Sequence, residues 1–143
     1  MIRSISLVDI LLEVKSPTVS TLISKIKSCL EPELLEPKYR KENESNPMFG
    51  HCHTASGCLQ KVFGTKNIKL YRALDDEDIW HWWAVDVNGQ RIDLTVDQYH
   101  SQGREPPYDD GTKASILGFD YRKRVLRLLE KVTKELSENG TPL

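Results

Sequence analysis

The segment Asn46-Pro47-Met48-Phe49-Gly50-His51-Cys52-His53-Thr54-Ala55-Ser56 places a thiol where its chemistry changes. Pro47 and Gly50 break the chain, and a helical pattern begins immediately after. Cys52 therefore falls in the first turn of a helix. The unpaired N–H groups and positive dipole end found there favour a thiolate, the reactive form of cysteine. A thiol nucleophile needs a base, and the base needs a group that orients it. His81, which opens a β-rich run, is the candidate base, and Asp93, on the run that follows, is the candidate orienter. The chemistry expected of such a set is attack on an amide, isopeptide or glutamine side-chain carbonyl, ending in hydrolysis, deamidation or acyl transfer. The Cys52 backbone N–H would supply half of an oxyanion hole, and Gln98 or Asn46 a side-chain donor for the rest. Gly50 allows close approach of a substrate, and His51 and Trp83 are placed to shape the pocket. None of these steps calls for a cofactor.

These residues must be positioned by a helix and a hairpin. Cys52 to Phe63 reads as the helix, with Ala55, Cys58, Leu59, Val62 and Phe63 on one face and Gly64 after its end. Asn88-Gly89 between His81–Val87 and Gln90–Val96 signals the hairpin. A two-residue turn would set Ala84 opposite Asp93 and put His81 and Asp93 on opposite faces. Asp97, Gln98 or a backbone carbonyl would then have to orient His81. A three-residue loop of Val87, Asn88 and Gly89 would set Trp83 opposite Asp93, with His81 diagonal on the same face. Both registers satisfy the residues, and one slip separates them.

Around this core, Ser16-Pro17 reads as a helix start, followed by a stripe of Val19, Leu22, Ile23, Ile26 and Leu30 that ends at Pro32. Residues 31–48, with Pro32, Pro37, Pro47 and five glutamates, read as an exposed connection. A strand is expected over Lys69–Leu74, then a solvated acidic loop at Asp75–Asp78. Residues 100–118 read as loop, with Pro-Pro-Tyr at 106–108 as a plain turn. A last helix from near Asp120 buries Val125, Leu128, Leu129, Val132 and Leu136 and shows a basic outer surface.

The whole fits one α+β domain spanning 1–143, with helices on one side of a small antiparallel sheet. The chain is 38% hydrophobic and 29% charged, with 20 Lys plus Arg against 21 Asp plus Glu. Such a balance excludes a disordered chain and gives no basic excess to draw nucleic acid. No apolar run approaches the roughly 20 residues of a membrane span. Asp9 and Glu13 interrupt any secretory leader. Cys29, Cys52 and Cys58 make an odd number, which suits reduced thiols and a cytoplasmic protein.

Plainer roles exist for the same side chains. Cys52 can be a small buried hydrophobe, and His81 a structural histidine beside the tryptophans. Cys29 and Cys58 lie on apolar stripes and read as inert, and His53 is expected exposed on its helix. Zinc held by His51, Cys52, His53 and Cys58, with His81, is a rival arrangement, but the spacing lacks a second pair of ligands. A non-enzymatic binding module is the other alternative, making contact through the basic helix or the acidic loop.

The run His81-Trp82-Trp83, Gly89 and Asp93-Leu94-Thr95 resembles the H-x-W…G…D-x-T signature of transglutaminase-like proteins, and Gly50-His51-Cys52 is similar to their G-x-C. Asn46–Ser56, with His81-Trp82-Trp83 and Ile92–Gln98, also resembles the YunG-like family of bacterial and phage proteins. The overlap covers about residues 46–98. The resemblance implies a papain-like or transglutaminase-like core with Cys52 as nucleophile, His81 as base and Asp93 as orienting acid. The resemblance implies no substrate; the acyl chemistry read from the residues themselves points to a peptide or protein side-chain amide. In one respect the chain departs from transglutaminases, whose nucleophile is usually followed by an aromatic residue: here His53 follows.

Overall fold

Leu22 and Ile26, one helical turn apart, carry helix α1 (Val19–Ser28) into the core. The structure, a computed structural model, describes residues 19–116 and 119–138. The helix start read at Ser16-Pro17 and the ambiguous first ten residues lie outside the described residues. After α1 the chain makes a 3-10 turn (Pro32–Leu34) that buries Leu34.

The connection expected over 31–48 instead holds a helix, α2 (Pro37–Ser45). Pro37 begins it, at a position where a missing N–H costs nothing. Its polar sequence is its solvated side. Asn43 is buried and donates from Nδ2 to the carbonyls of Pro47 (2.8 Å) and Phe49 (3.0 Å), which holds the chain that leads into the next helix.

That next helix, α3 (Cys52–Phe63), has the expected bounds. It is more enclosed than its stripe suggested: every residue from Cys52 to Leu59 is buried, His53, Thr54 and Ser56 included. It touches α1, the strands and the C-terminal helix at once, so it has no solvent face over its first two turns.

Four antiparallel strands follow: β1 (Ile68–Leu74), β2 (Trp80–Asp86), β3 (Arg91–Ile92) and β4 (Thr112–Ala114), in the order β3-β2-β1-β4. The hairpin takes the three-residue loop, because Ala84 pairs with Ile92 and Val85 with Arg91. Gly89 sits at φ +79°, which the last position of such a loop requires. Asp86 Oδ1 accepts from the N–H groups of Asn88 and Gln90, both at 2.9 Å, and so fixes the loop. The second arm is shorter than read. Asp93 Oδ1 accepts from Thr95 N–H at 3.2 Å, which turns the chain out of the sheet and into the short helix α4 (Asp97–His100). β4 lies inside the segment read as loop and pairs with β1 along the edge.

The even-numbered residues of β1 and β2 face the helices. Leu70, Trp82 and Ala84 join Leu22, Ile26, Leu59, Leu128 and Val132 in one core. The last two belong to α5 (Phe119–Glu138), whose Val125, Leu128, Val132 and Leu136 are buried as expected. Among the described residues, five α-helices and a four-stranded antiparallel sheet make a mixed α+β fold. Among the described residues no helix is long and apolar enough to cross a membrane.

The contact between α3 and α5 depends on Gly57. A Cβ there would lie 2.8 Å from Val125 Cγ2 and 2.9 Å from Ile116 Cδ1. Alanine raises helix propensity by about 1 kcal/mol over glycine, but overpacking a filled core costs about 1–3 kcal/mol. Gly57→Ala is therefore expected to lower stability by about 1 kcal/mol, read as a lower urea midpoint with an unchanged slope.

Candidate functional site

Cys52 opens α3 behind a tight approach. Gly50, at φ +84°, reverses the chain so closely that a Cβ would lie 2.8 Å from Leu35 Cδ2. The thiol donates to the Trp80 carbonyl at 3.7 Å. Though 5% exposed, Cys52 lines a cleft of about 620 Å³ with Gly50, His53, Trp80, Trp82 and Gln98. Its volume falls within the roughly 300–1,000 Å³ usual for ligand sites.

His81, on β2, is fully buried. Its Nε2 is 2.6 Å from Asp93 Oδ2, the contact that the three-residue loop makes possible. The Tyr108 hydroxyl donates to the same oxygen at 2.7 Å. The ring packs against Tyr99 (centroids 4.7 Å apart) and Trp83 (5.8 Å). Burial opposes charge on the His81 ring, but the Asp93 hydrogen bond, the Cys52 thiol beside it and their charges outweigh burial and raise it to about 9. Cys52, His81 and Asp93 thus come together around the end of β2.

Gln98 lines the cleft with Cys52 and, like Asn46, is held by hydrogen bonds of its own. Gln98 Nε2 lies 3.1 Å from His81 Nδ1 and donates to Thr95 Oγ1 at 3.0 Å, which commits both its N–H groups. Asn46 Nδ2 donates to the Gln98 carbonyl at 2.9 Å. The two therefore brace the histidine. α4 is the reason: it brings Gln98 over the ring, and a strand continuing to Val96 would not. Tyr108, in the Pro-Pro-Tyr turn, belongs to the site although its sequence gave no sign of it; an aromatic in a proline turn has no periodicity to mark its partner.

Trp80 and Trp82 wall the cleft, whereas Trp83 lies on the opposite sheet face, stacked on Tyr71 with centroids 6.3 Å apart. Strand alternation separates them. His53 is buried, not exposed, and sets its ring edge against Trp82 at 4.5 Å. His51 is buried away from the cleft, with no hydrogen-bond partner for either ring nitrogen among the described residues. Burial, then the Lys131 charge, pulls His51 down to about 4; burial, then Arg124 and Arg72, pulls His53 down to about 4. The other thiols are inert by environment. Burial, then the Glu135 carboxylate, pushes Cys29 up to about 11, and burial pushes Cys58 up to about 12.

Among the described residues no three His, Cys, Asp or Glu side chains converge to hold a metal ion. The zinc arrangement fails on geometry: His51, Cys52 and His53 are consecutive at a helix start, and such neighbours do not face one another.

The histidines set opposing pH limits on stability. A ring held at about 9 stabilises the fold below about 6.5 and loses that contribution as pH rises through about 9. Rings held at about 4 do the reverse, so stability falls as pH drops from about 6.5 through about 4. Urea unfolding at successive pH values should peak near pH 6.5, and His81→Gln should flatten the alkaline limb while sparing the acid one.

No curated protein and no solved structure matches the chain. The family model described as "YunG protein" matches residues 18–137, most of the length and every residue of the site just described, so the chain belongs to the YunG family.

Proposed function

We propose that this protein is a cysteine enzyme of the papain-like or transglutaminase-like kind, acting on amide bonds through Cys52, His81 and Asp93. The observation that carries the reading is a buried histidine joined at 2.6 Å to a carboxylate and set against a thiol at the mouth of a cleft. A buried histidine raised to about 9 suits an ion pair with a thiolate at neutral pH.

The steps follow. Cys52 Sγ attacks the amide carbonyl carbon, and the C=O electron pair moves onto oxygen. The Cys52 N–H, in the first helical turn where no intrahelical acceptor exists, meets that oxyanion. His81 gives its proton to the leaving nitrogen as the C–N bond breaks, leaving a thioester. Water or an amine then attacks, giving a proton to His81, and the thiolate leaves. Asp93 keeps the Nε2–H of His81 in place throughout, and Tyr108 holds Asp93. Gln98 occupies Nδ1 while that nitrogen is an acceptor. Protonation of Nδ1 sets two donors face to face, so Gln98 must turn its amide over or yield to the Cys52 sulfur. Three free thiols suit a reducing compartment, and we assign the protein to the cytoplasm.

The alternative, a binding module, finds less support. The acidic loop is already engaged, with Arg104 beside Asp75, Asp76 and Glu77. Lys131 of the basic helix likewise holds Glu31 and Glu33.

In wild-type protein, iodoacetamide should modify Cys52 well before Cys29 and Cys58, as read by mass spectrometry of peptides. His81→Ala should slow Cys52 at least tenfold and leave the other two unchanged, a loss of about 1.4 kcal/mol in the barrier difference. Equal reactivity of the three thiols would overturn the mechanism. Asp93→Asn should lower the His81 ring from about 9, followed by NMR of the imidazole, because the carboxylate's hydrogen bond and charge are lost while burial remains.

A further inference from the structure

The cleft that opens on Cys52 carries an unbalanced charge. Arg72 of β1, Lys113 of β4 and Arg124 of α5 all line it, against one carboxylate, Glu36. Arg124 has a carboxylate beside it, since Glu36, also in the cleft, lies 3.4 Å away. Arg72 makes no ion pair among the described residues. Its guanidinium rests over the Trp80 ring, 4.2 Å from the centroid, and 5.5 Å from that of Trp82. A guanidinium seated on an aromatic face keeps its in-plane N–H donors for a planar anion, and a carboxylate matches that fork. The platform is open, since Trp80 is 44% exposed. Both arginines act on the ring of His53, the residue after Cys52, where they add to burial in keeping it neutral. Arg72 thus lines the same cleft as the thiol, stacked on the residue whose carbonyl accepts from Cys52 Sγ.

We infer that the cleft selects amide substrates that carry a carboxylate close to the reacting carbonyl, bound by Arg72 over Trp80. The inference rests on the thiol reading above and names its substrate class. Arg72 is a specificity residue in this scheme: it touches substrate but handles no proton. Arg124 is the poorer candidate because Glu36 already balances it and would repel an incoming acid.

Two alkylating reagents of similar size test this, iodoacetate with a carboxylate and iodoacetamide without one. Arg72→Gln should slow iodoacetate labelling of Cys52 roughly threefold, the scale of one partly exposed ion pair, and leave iodoacetamide labelling unchanged. Arg72→Lys should keep most of the preference, and added salt should erase it in the wild type. Unchanged iodoacetamide labelling also shows that the variant has folded around its thiol. An iodoacetate-to-iodoacetamide ratio that stays the same in Arg72→Gln overturns the carboxylate site and leaves the thiol reading standing. Cys52 labelled no faster than Cys29 and Cys58 by either reagent overturns both. Protection against iodoacetamide then separates two sources of the carboxylate. A glutamate-containing tripeptide that protects where free glutamate does not assigns a peptide substrate, and protection by both assigns a small acid. Protection by neither at millimolar concentration overturns the site.

Discussion

The hydrogen bond between His81 and Asp93 depends on a loop of three residues, and most of the site depends on that bond. Val87, Asn88 and Gly89 set Ala84 opposite Ile92, which brings Asp93 to the face of β2 that carries His81. One residue fewer in the loop would turn Asp93 to the other face and leave a buried imidazole facing tryptophan and tyrosine rings. Burial alone disfavours charge on that ring, so the carboxylate is what makes a protonated histidine tolerable there. Tyr108 and Thr95 in turn occupy the carboxylate's oxygens, and Asn46 steadies Gln98 over the ring. The loop is fixed from outside the site by Asp86, whose carboxylate caps two of its N–H groups.

The thiol is held by different means. α3 is enclosed by α1, α5 and the sheet, so its first turn has little freedom to fray. A nucleophile on a rigid element keeps its geometry better than one on a loop. The chain before it is shaped by Asn43, which clamps two carbonyls, and by Gly50, which passes under Leu35. Burial distinguishes the three cysteines by their surroundings: Cys58 has apolar neighbours, Cys29 has Glu135, and Cys52 has His81 and a cleft.

Much of this was legible in the residues. The bounds of α3 followed from Pro47, Gly50 and the apolar spacing up to Phe63, and the hairpin from Asn88-Gly89. The pairing of His81 with Asp93 was one of two registers the residues allowed, and its selection required the tertiary fit of the loop. α2 was hidden because its solvated side supplies nearly all its sequence, while its one buried polar residue, Asn43, works through hydrogen bonds that leave no hydrophobic period. The run after Ile92 kept its β-like composition, but Asp93 caps its own turn and ends the strand. That change sets Gln98 against the histidine while it still lines the cleft. Trp83 was misplaced for a simpler reason: neighbours on a strand point apart, and the cleft lies on the side of Trp80 and Trp82.

That alternation has a consequence for how such a protein can diversify. Arg72, Trp80 and Trp82 occupy even positions and look into the cleft, whereas His81 and Trp83 occupy odd ones and look toward Tyr99 and Tyr108. On the proposed reading, the sheet sets substrate recognition by Arg72, Trp80 and Trp82 on one face and the pairing of His81 with Asp93 on the other, and Cys52 and Gln98 meet both at its end. Substitutions at Arg72, Trp80 or Trp82 leave the hydrogen bond between His81 and Asp93 untouched. On the proposed reading, sister proteins built on this plan can therefore share one chemistry and differ in diet.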